Sequence, residues 1–191
     1  MNVLGIDPGY DGGFAIYSDG VLLGTWPMPT ITVTQKKTRK IRTNEQNPEG
    51  KKTKTYSAKV RHLDFSELNK LFHMFRTEVY DVDKIFLEQV SARPDEGVSS
   101  VFRFGIAYGS VLTMVACSGL SYELVTPGVW TKAVCGGISA QIEQKDRAKL
   151  AAKRLFPRAE FILKGCRKEH TGLVDAALIA YYGYTKECRS E

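Results

Sequence analysis

Three acidic residues stand where folding can bring carboxylates together from distant parts of this sequence. Asp7 ends an apolar strand-like run and is followed by the turn-forming pair Pro8-Gly9, which puts its carboxylate at a sheet edge. Glu88 ends a second strand-like run, and Asp175 opens an apolar helical stretch. Three carboxylates gathered in this way are the ligands that a two-metal phosphodiester hydrolase needs.

Each acid also has an ordinary explanation. Asp7 could be only the polar start of a turn, Glu88 a solvent-facing strand end, and Asp175 a first-turn acid favoured by the helix dipole. The joint pattern favours a metal site. Mg²⁺ prefers oxygen ligands, and we expect Mn²⁺ to substitute for it. In this arrangement Asp7 would bridge two ions, Glu88 would hold one and Asp175 the other.

The net charge of +6 is concentrated in one segment. Between Lys36 and Arg61 there are ten basic residues against two acids, which makes that segment +8, while the remainder carries 17 basic and 19 acidic residues. A cationic segment on a slightly acidic body predicts a contact with a polyanion, because neutralising backbone phosphates releases condensed counterions. A solvated basic loop is the alternative. The residues expected to contact DNA in this segment are Lys36, Lys37, Arg39, Lys40, Arg42, Lys51, Lys52 and Lys54.

Length and composition predict a single domain over residues 1–191 with a basic insertion at about 30–62. We expect no membrane-spanning run and no leader sequence, and therefore a cytoplasmic protein. The four cysteines lie far apart without a C-x-x-C pair, so we expect reduced thiols, some of them in the core.

The order of predicted elements indicates an α/β fold, a mixed sheet with helices on both faces. Three short strands open the chain as a meander, and a basic two-stranded arm follows around the turn-prone segment 47–50. After the arm we predict helices at about 64–78, 99–117, 127 onwards, 143–155 and 173–182, and strands at 83–88 and 122–125. Gly105 and Gly109, four residues apart, permit close approach either within the core or at a subunit contact.

The chain resembles the RuvC-type Holliday junction resolvases. The segments around Asp7, Glu88 and Asp175 are similar to the three acidic motifs of that family, in the same order. Residues 93–98 with 102–105, and 126–130, resemble further patterns of phage and plasmid members. The resemblance covers residues 1–28 and 82–184. It implies a ribonuclease H-like fold with a five-stranded sheet, and a magnesium-dependent, dimeric endonuclease that nicks two opposed strands of a four-way DNA junction.

The sequence departs from the family pattern at two positions. Many members carry a fourth acid or a His three residues before the last Asp, where this chain has Gly172. We expect His170 to fill part of that role, as a metal ligand or proton carrier; a surface histidine without function is the alternative. Bacterial members carry an aromatic residue where Ser91 stands here, so opening of the junction would depend on other groups such as Arg93 or Phe102.

Lys145 resembles a family lysine that faces the scissile phosphate, where a cation would stabilise the transition state. Lys132 could share that task. For either residue, an ordinary helix-surface lysine is the alternative.

Other functions stay open. A branched-DNA nuclease could act mainly on forks, three-way junctions or flaps. A nucleotide phosphotransferase of the actin-like type is disfavoured by length, and a non-catalytic junction-binding protein is disfavoured by the three acids, because clustered carboxylates are costly without a cation.

Overall fold

The computed structural model describes residues 1–40, 53–77, 79–92 and 96–189. The predicted α/β fold is confirmed: a five-stranded mixed sheet has the order β3-β2-β1-β6-β7, and β4 and β5 form a separate two-stranded sheet. The strands are β1 Asn2–Asp7, β2 Gly13–Ser18, β3 Val21–Pro27, β4 Thr30–Lys40, β5 Thr53–Leu63, β6 Lys84–Glu88 and β7 Ser121–Val125. The helices are α1 Phe65–Arg76, α2 Val98–Cys117, α3 Pro127–Val134, α4 Gln144–Leu155 and α5 Thr171–Glu187.

The three N-terminal strands form an antiparallel meander, and β6 and β7 extend the sheet in parallel to β1. The turn between β2 and β3 places Asp19 and Gly20 at φ +46° and +90°. Two such residues in succession are typical of the tight turns that match the twist of a hairpin. The parallel strands β1 and β6 have buried centres, because helices cover both faces of the sheet.

Alternate residues of β1 and β6 point into two different cores. On one face Leu4, Ile6 and Ile85 pack with the apolar sides of α1 and α2. On the other face Val3 and Phe86 pack with α3, α4 and α5. The two predicted layers of helices are thus present, one on each side of the sheet.

The sequence predicts either Asp64 or Ser66 as the cap of α1, and the structure shows Asp64. The carboxylate of Asp64 caps it by accepting a hydrogen bond of 3.0 Å from the Glu67 backbone N–H. The predicted apolar face is buried, and it consists of Leu68, Leu71, Phe72 and Phe75.

Helix α5 lies unusually close to β1. A Cβ atom on Gly5 would overlap the backbone of Ala176 and Ala180. Only a glycine at this position allows the helix to approach so closely, and this fixes the helix beside the end of β1 where Asp7 stands. Helix α5 also begins earlier than predicted, at Thr171. The expectation that Asp175 lies in the first helical turn is therefore wrong, and the residue belongs to the second turn.

The basic arm consists of β4 and β5, which pair antiparallel from Thr30 with Leu63 outward to Lys40 with Thr53. The predicted two-stranded form is confirmed for these residues. The turn-prone segment and the predicted DNA contacts Arg42, Lys51 and Lys52 lie outside the described residues, as does Arg93.

Helix α2 buries only a narrow stripe, formed by Ala107, Val111 and Val115. A Cβ atom on Gly105 or Gly109 would meet no atom within 4 Å, so these glycines do not serve packing inside the core. The expectation that no segment could span a membrane needs correction. By length and composition α2 could do so, with a mean hydropathy of 1.4, and it is the one such helix among the described residues. One helix of this kind is weak evidence for a membrane span.

The cysteines are free thiols, as predicted. Cys135 is buried and the other three are exposed, so one cysteine rather than several belongs to the core.

Candidate active site

Strand alternation places Asp7 and Glu88 on the same face of the sheet. In the parallel register Ile6 pairs with Leu87 and Gly5 with Phe86. Since Ile6 and Leu87 point towards α1 and α2, the next residues on both strands point towards α5. These residues are Asp7 and Glu88. Two carboxylates from distant parts of the chain therefore stand at the carboxyl ends of neighbouring strands.

Asp175 reaches the same place from α5. Its helix is held against β1 by the close approach at Gly5, and Asp175 directly precedes Ala176, which makes that contact. Asp7, Glu88 and Asp175 line one cleft with a volume of about 1460 Å³. All three are half-buried. The structure thus brings the three predicted acids together.

The local environment opposes negative charge on two of these acids. Burial raises the pKa of Asp7 to about 6, against a hydrogen bond from the Gly9 backbone N–H at 3.2 Å that lowers it. The pKa of Asp175 is raised to about 8 by burial first and then by the neighbouring charges of Asp7 and Glu88, while the charge of Lys145 lowers it. The cleft therefore disfavours ionised carboxylates, and a bound cation would compensate their charge.

Glu88 has a defined orientation. The indole N–H of Trp130 donates a hydrogen bond of 2.9 Å to its Oε1 atom. Trp130 is buried, at 3% exposure, where α3 packs against the sheet. The rigid core on one side thus positions a carboxylate that faces the cleft on the other.

The three carboxylates fit a hard divalent cation by their chemistry. Among the residues that the structure describes, no three His, Cys, Asp or Glu side chains stand close enough to bind one ion jointly. Mg²⁺ is commonly held by one or two carboxylates and completes its shell with water and phosphate oxygens. The raised pKa values of Asp7 and Asp175 also favour a cation site, because a bound cation stabilises carboxylate charge that the cleft disfavours.

Lys145 also lines the cleft, from the first turn of α4. It is near enough to lower the pKa of Asp175 through its positive charge. Lys132, by contrast, is exposed on α3 and is not among the residues that line the cleft.

His170 lies at the start of α5 as its N-cap. Its Nδ1 atom accepts a hydrogen bond of 3.3 Å from the Leu173 backbone N–H, and burial lowers its pKa. It is not among the cleft-lining residues, although its neighbour Thr171 is. Its predicted catalytic role stays a prediction, and capping gives this histidine a structural role of its own.

The packing around Gly172 explains why this position carries no acidic residue. A Cβ atom here would overlap the backbone of Asp11 and Gly12, which packs directly against the start of α5. No side chain fits at this position. The loop after β1 thus occupies the space that a longer residue would need.

The base of the arm contributes a wall of the cleft that we did not predict. Thr32, Lys59 and Arg61 line it together with the carboxylates. Arg61 donates to Oδ1 of Asp11 at 2.8 Å and to the carbonyl oxygen of Tyr10. The sequence indicates Lys59 and Arg61 only as charges of the arm. Strand alternation could have placed both on one face, but nothing in the sequence indicates that this face would meet the cleft.

The predicted arm contacts Lys36, Lys37, Arg39 and Lys54 are exposed on the strands, away from the carboxylates, and Lys40 ends β4. Ser91 lines the cleft, and Phe102 is 69% exposed on α2.

Comparison with known proteins identifies the fold. No family model and no curated protein matches the sequence. Among solved structures, RuvC from Thermus thermophilus in complex with Holliday junction substrate is 16% identical, with a TM-score of 0.53, over 99% of this chain and 96% of that one. Thermus thermophilus RuvC alone is 19% identical, with a TM-score of 0.49, over 98% and 97%. This chain has a RuvC-type, ribonuclease H-like fold.

Proposed function

We propose that this protein is a magnesium-dependent, structure-selective endonuclease that resolves four-way DNA junctions by paired nicks. The observation that carries the proposal is the convergence of Asp7, Glu88 and Asp175 on one cleft of a RuvC-type fold. In this proposal residues 1–191 act as one nuclease domain, which works on branched DNA in the cytoplasm.

The metal ions would be held by the carboxylates of Asp7, Glu88 and Asp175. When bound, Mg²⁺ or Mn²⁺ supplies an activated water and stabilises the leaving oxygen. At neutral pH an Asp175 with a pKa of about 8 retains its proton until a cation compensates its charge. Binding of the cation and release of that proton are therefore coupled.

The other residues of the cleft position the reacting groups. Trp130 holds Glu88 through its indole N–H, and Gly9 holds Asp7 through its backbone N–H. The exposed ammonium group of Lys145 can reach a phosphate in the cleft, where it would offset the negative charge that develops in the transition state.

Paired nicks require two active sites, so we propose a homodimer. The exposed side of α2 offers an apolar surface for a second copy of the chain: Val98 is 86%, Phe102 69% and Ile106 44% exposed. Gly105 and Gly109 leave open space on that side. Apolar surface of this extent on one helix favours burial in a partner.

The arm supplies affinity in this proposal. Its exposed cations Lys36, Lys37, Arg39 and Lys54 contact backbone phosphates without reading sequence. Next to Lys37 in the register, the ring of Tyr56 is 46% exposed and adds a surface on which a base can stack.

The decisive experiment incubates labelled four-way, Y-shaped and linear duplex DNA with the protein and Mg²⁺, beside an Asp7→Asn variant. We expect symmetric paired nicks in the four-way substrate and none with the variant. Preferential cutting of Y-shaped DNA would show a fork or flap nuclease instead. Tight junction binding without any cleavage would show a binding protein. In a separate thermal denaturation experiment, a higher melting temperature with ATP would favour a phosphotransferase.

A further inference from the structure

The two faces of the arm differ in their relation to the cleft. In the β4–β5 register, Thr32 is paired with Arg61 and Thr34 with Lys59, and the same face continues outward to Lys36 and Ser57. The opposite face carries Lys37 paired with Tyr56, and Arg39 paired with Lys54. We call the first the inner face and the second the outer face.

All the arm residues that line the cleft belong to the inner face. They are Thr32, Lys59 and Arg61. Arg39, Lys54 and Tyr56 on the outer face surround a separate, shallow depression of about 190 Å³. The inner face therefore shares a cavity with the carboxylates and the outer face does not.

The base of the arm is fixed relative to the carboxylates. Arg61 is tied to Asp11 and Tyr10 in the loop that follows Asp7. Arg103 of α2 donates a hydrogen bond of 3.0 Å to the Arg61 carbonyl oxygen and lies 5.1 Å above the Tyr10 ring. Val60 and Leu63 are buried. These contacts hold the inner face in place as a wall.

Lys59 is the residue of this wall that can receive a ligand. Arg61 is engaged by Asp11, whereas Lys59 is exposed and has no ion-pair partner among the described residues. Residues of one face recur about every 6.8 Å along a strand. The hydroxyl and ammonium groups of Thr32, Thr34, Lys59, Ser57 and Lys36 thus form a row that leads outward from the carboxylates.

We propose that this inner-face row binds the phosphates of the DNA strand that is cut and so positions its scissile phosphate at the carboxylates. The inference rests on the proposed nuclease function and assigns the two faces different tasks. Lys59 is a positioning residue, which acts by placing the strand, while the outer face adds affinity for DNA at large.

Charge-neutralising variants of one lysine on each face test the assignment. Lys59→Gln and Lys37→Gln each remove one cation from an exposed strand position of the arm. Cleavage of a four-way junction is followed under single-turnover conditions, over a range of protein concentrations, with Mg²⁺. We expect the Lys37→Gln variant to need more protein but to recover most of the parent rate at saturation. The Lys59→Gln variant should stay at least about tenfold slower at saturation.

A second measurement does not depend on cleavage. A photo-crosslinking amino acid is placed at position 59 or at position 37 of the Asp7→Asn protein, and the crosslinked nucleotides of a bound junction are mapped. We expect position 59 to crosslink next to the branch point, on one pair of strands, and position 37 to crosslink further along the duplex arms.

The outcomes separate the two proposals. Equal saturated rates for the two lysine variants, or the same crosslinking map from both positions, would overturn the assignment of the inner face even if the parent protein cleaves junctions. A parent protein that never cleaves would overturn the nuclease function, and the crosslinking map would still decide which face of the arm meets the branch point.

Discussion

The cleft and the arm handle charge in opposite ways. In the cleft three carboxylates are half-buried, and two of them have raised pKa values. On the arm the cations Lys36, Lys37, Arg39 and Lys54 are exposed on both faces of a two-stranded sheet. The cleft holds carboxyl groups whose ionisation is unfavourable, in a fixed geometry. The arm carries cations that water already solvates.

The two regions obtain their free energy of ligand binding from different sources. A half-buried carboxylate can bind a cation tightly because the cation relieves a cost already present in the fold. An exposed lysine contributes little to folding, and its contribution to binding comes from released counterions and depends on salt. We therefore expect changes in the cleft, including its inner-face wall, to act on the rate of reaction, changes of the carboxylates to act on stability as well, and changes on the outer face of the arm to act on affinity.

The largest expected effect comes from removing a carboxylate of the cleft. Asp175→Asn should lower junction cleavage by about 10³-fold or more, because a cation ligand is lost. The same change should raise the melting temperature of the metal-free protein at pH 8 by about 5 °C, since the unfavourable ionisation of Asp175 in the cleft no longer occurs. Single-turnover cleavage and thermal denaturation measure the two effects. A loss of both activity and stability would mean that the carboxylate supports the fold.

Shortening the arm tests the other region. Gln35 is paired with Ala58, so a two-residue Asn-Gly turn can join them and replace residues 36–57. The change removes eight cations and two acids but keeps Lys59 and Arg61. We expect junction affinity to fall by about 10²-fold at moderate salt, and the dependence of log K on log salt to flatten by about 0.9 for each lost phosphate contact. An unchanged slope would show that the arm does not contact DNA.

A smaller effect is expected at the boundary between core and cleft. Trp130→Phe keeps an aromatic ring in the core but removes the N–H that holds Glu88. Cleavage should slow by about tenfold, and the midpoint of a Mn²⁺ titration should rise, because partners of ligating carboxylates tune metal affinity. Trp26→Phe is the matched control, since the Trp26 ring packs against Phe75 and Tyr80 on the other face of the sheet. Equal effects of the two changes would point to packing rather than to the hydrogen bond.

The raised pKa values predict the pH dependence of stability. In the folded protein Asp7 and Asp175 have pKa values of about 6 and about 8, against 3.8 for each without the fold. Between about pH 4 and 8 the folded state therefore binds more protons than the unfolded state, and stability falls as pH rises. Thermal denaturation of the metal-free protein from pH 4 to 9 should show this fall. Saturating Mg²⁺ should reduce it, and a flat profile without metal would contradict it.

The smallest expected effect concerns the exposed side of α2. Gly105→Ala should stabilise an isolated chain by about 0.5–1 kcal/mol, because alanine favours a helix and the added methyl group meets open space. If a second copy covers this side, the same methyl group should weaken the dimer. Sedimentation at several protein concentrations, beside thermal denaturation, separates the two effects. An unchanged dimer would place the subunit contact elsewhere.

Sequence reasoning could predict the parts of the molecule that local patterns control. Alternating apolar residues and turn signals give the strands, and the Asp64 cap and the apolar face of α1 are both visible in the sequence. The three acids could be predicted as a group because Asp7 and Glu88 each end an apolar strand and Asp175 directly precedes an apolar helical stretch.

Long-range contacts could not be predicted in this way. Three contacts of the site join residues that are far apart in the sequence. They are the hydrogen bond from Trp130 to Glu88, the ion pair of Arg61 with Asp11, and the packing of Gly172 against Gly12. Which face of the arm meets the cleft depends on its anchoring through Arg103, and a sequence pattern carries no information about that contact. The start of α5 was predicted too late because His170, which caps it, is not a typical capping residue.

The pairing of the arm strands limits how its length can vary. Neighbouring residues on each strand point to opposite faces. Removing one residue from a strand therefore moves every later side chain of that strand to the opposite face, whereas removing two residues keeps each on its original face. Relatives that keep this arm with a shorter or longer reach should therefore differ by an even number of residues in each strand. The same parity governs any attempt to transplant the arm onto another nuclease.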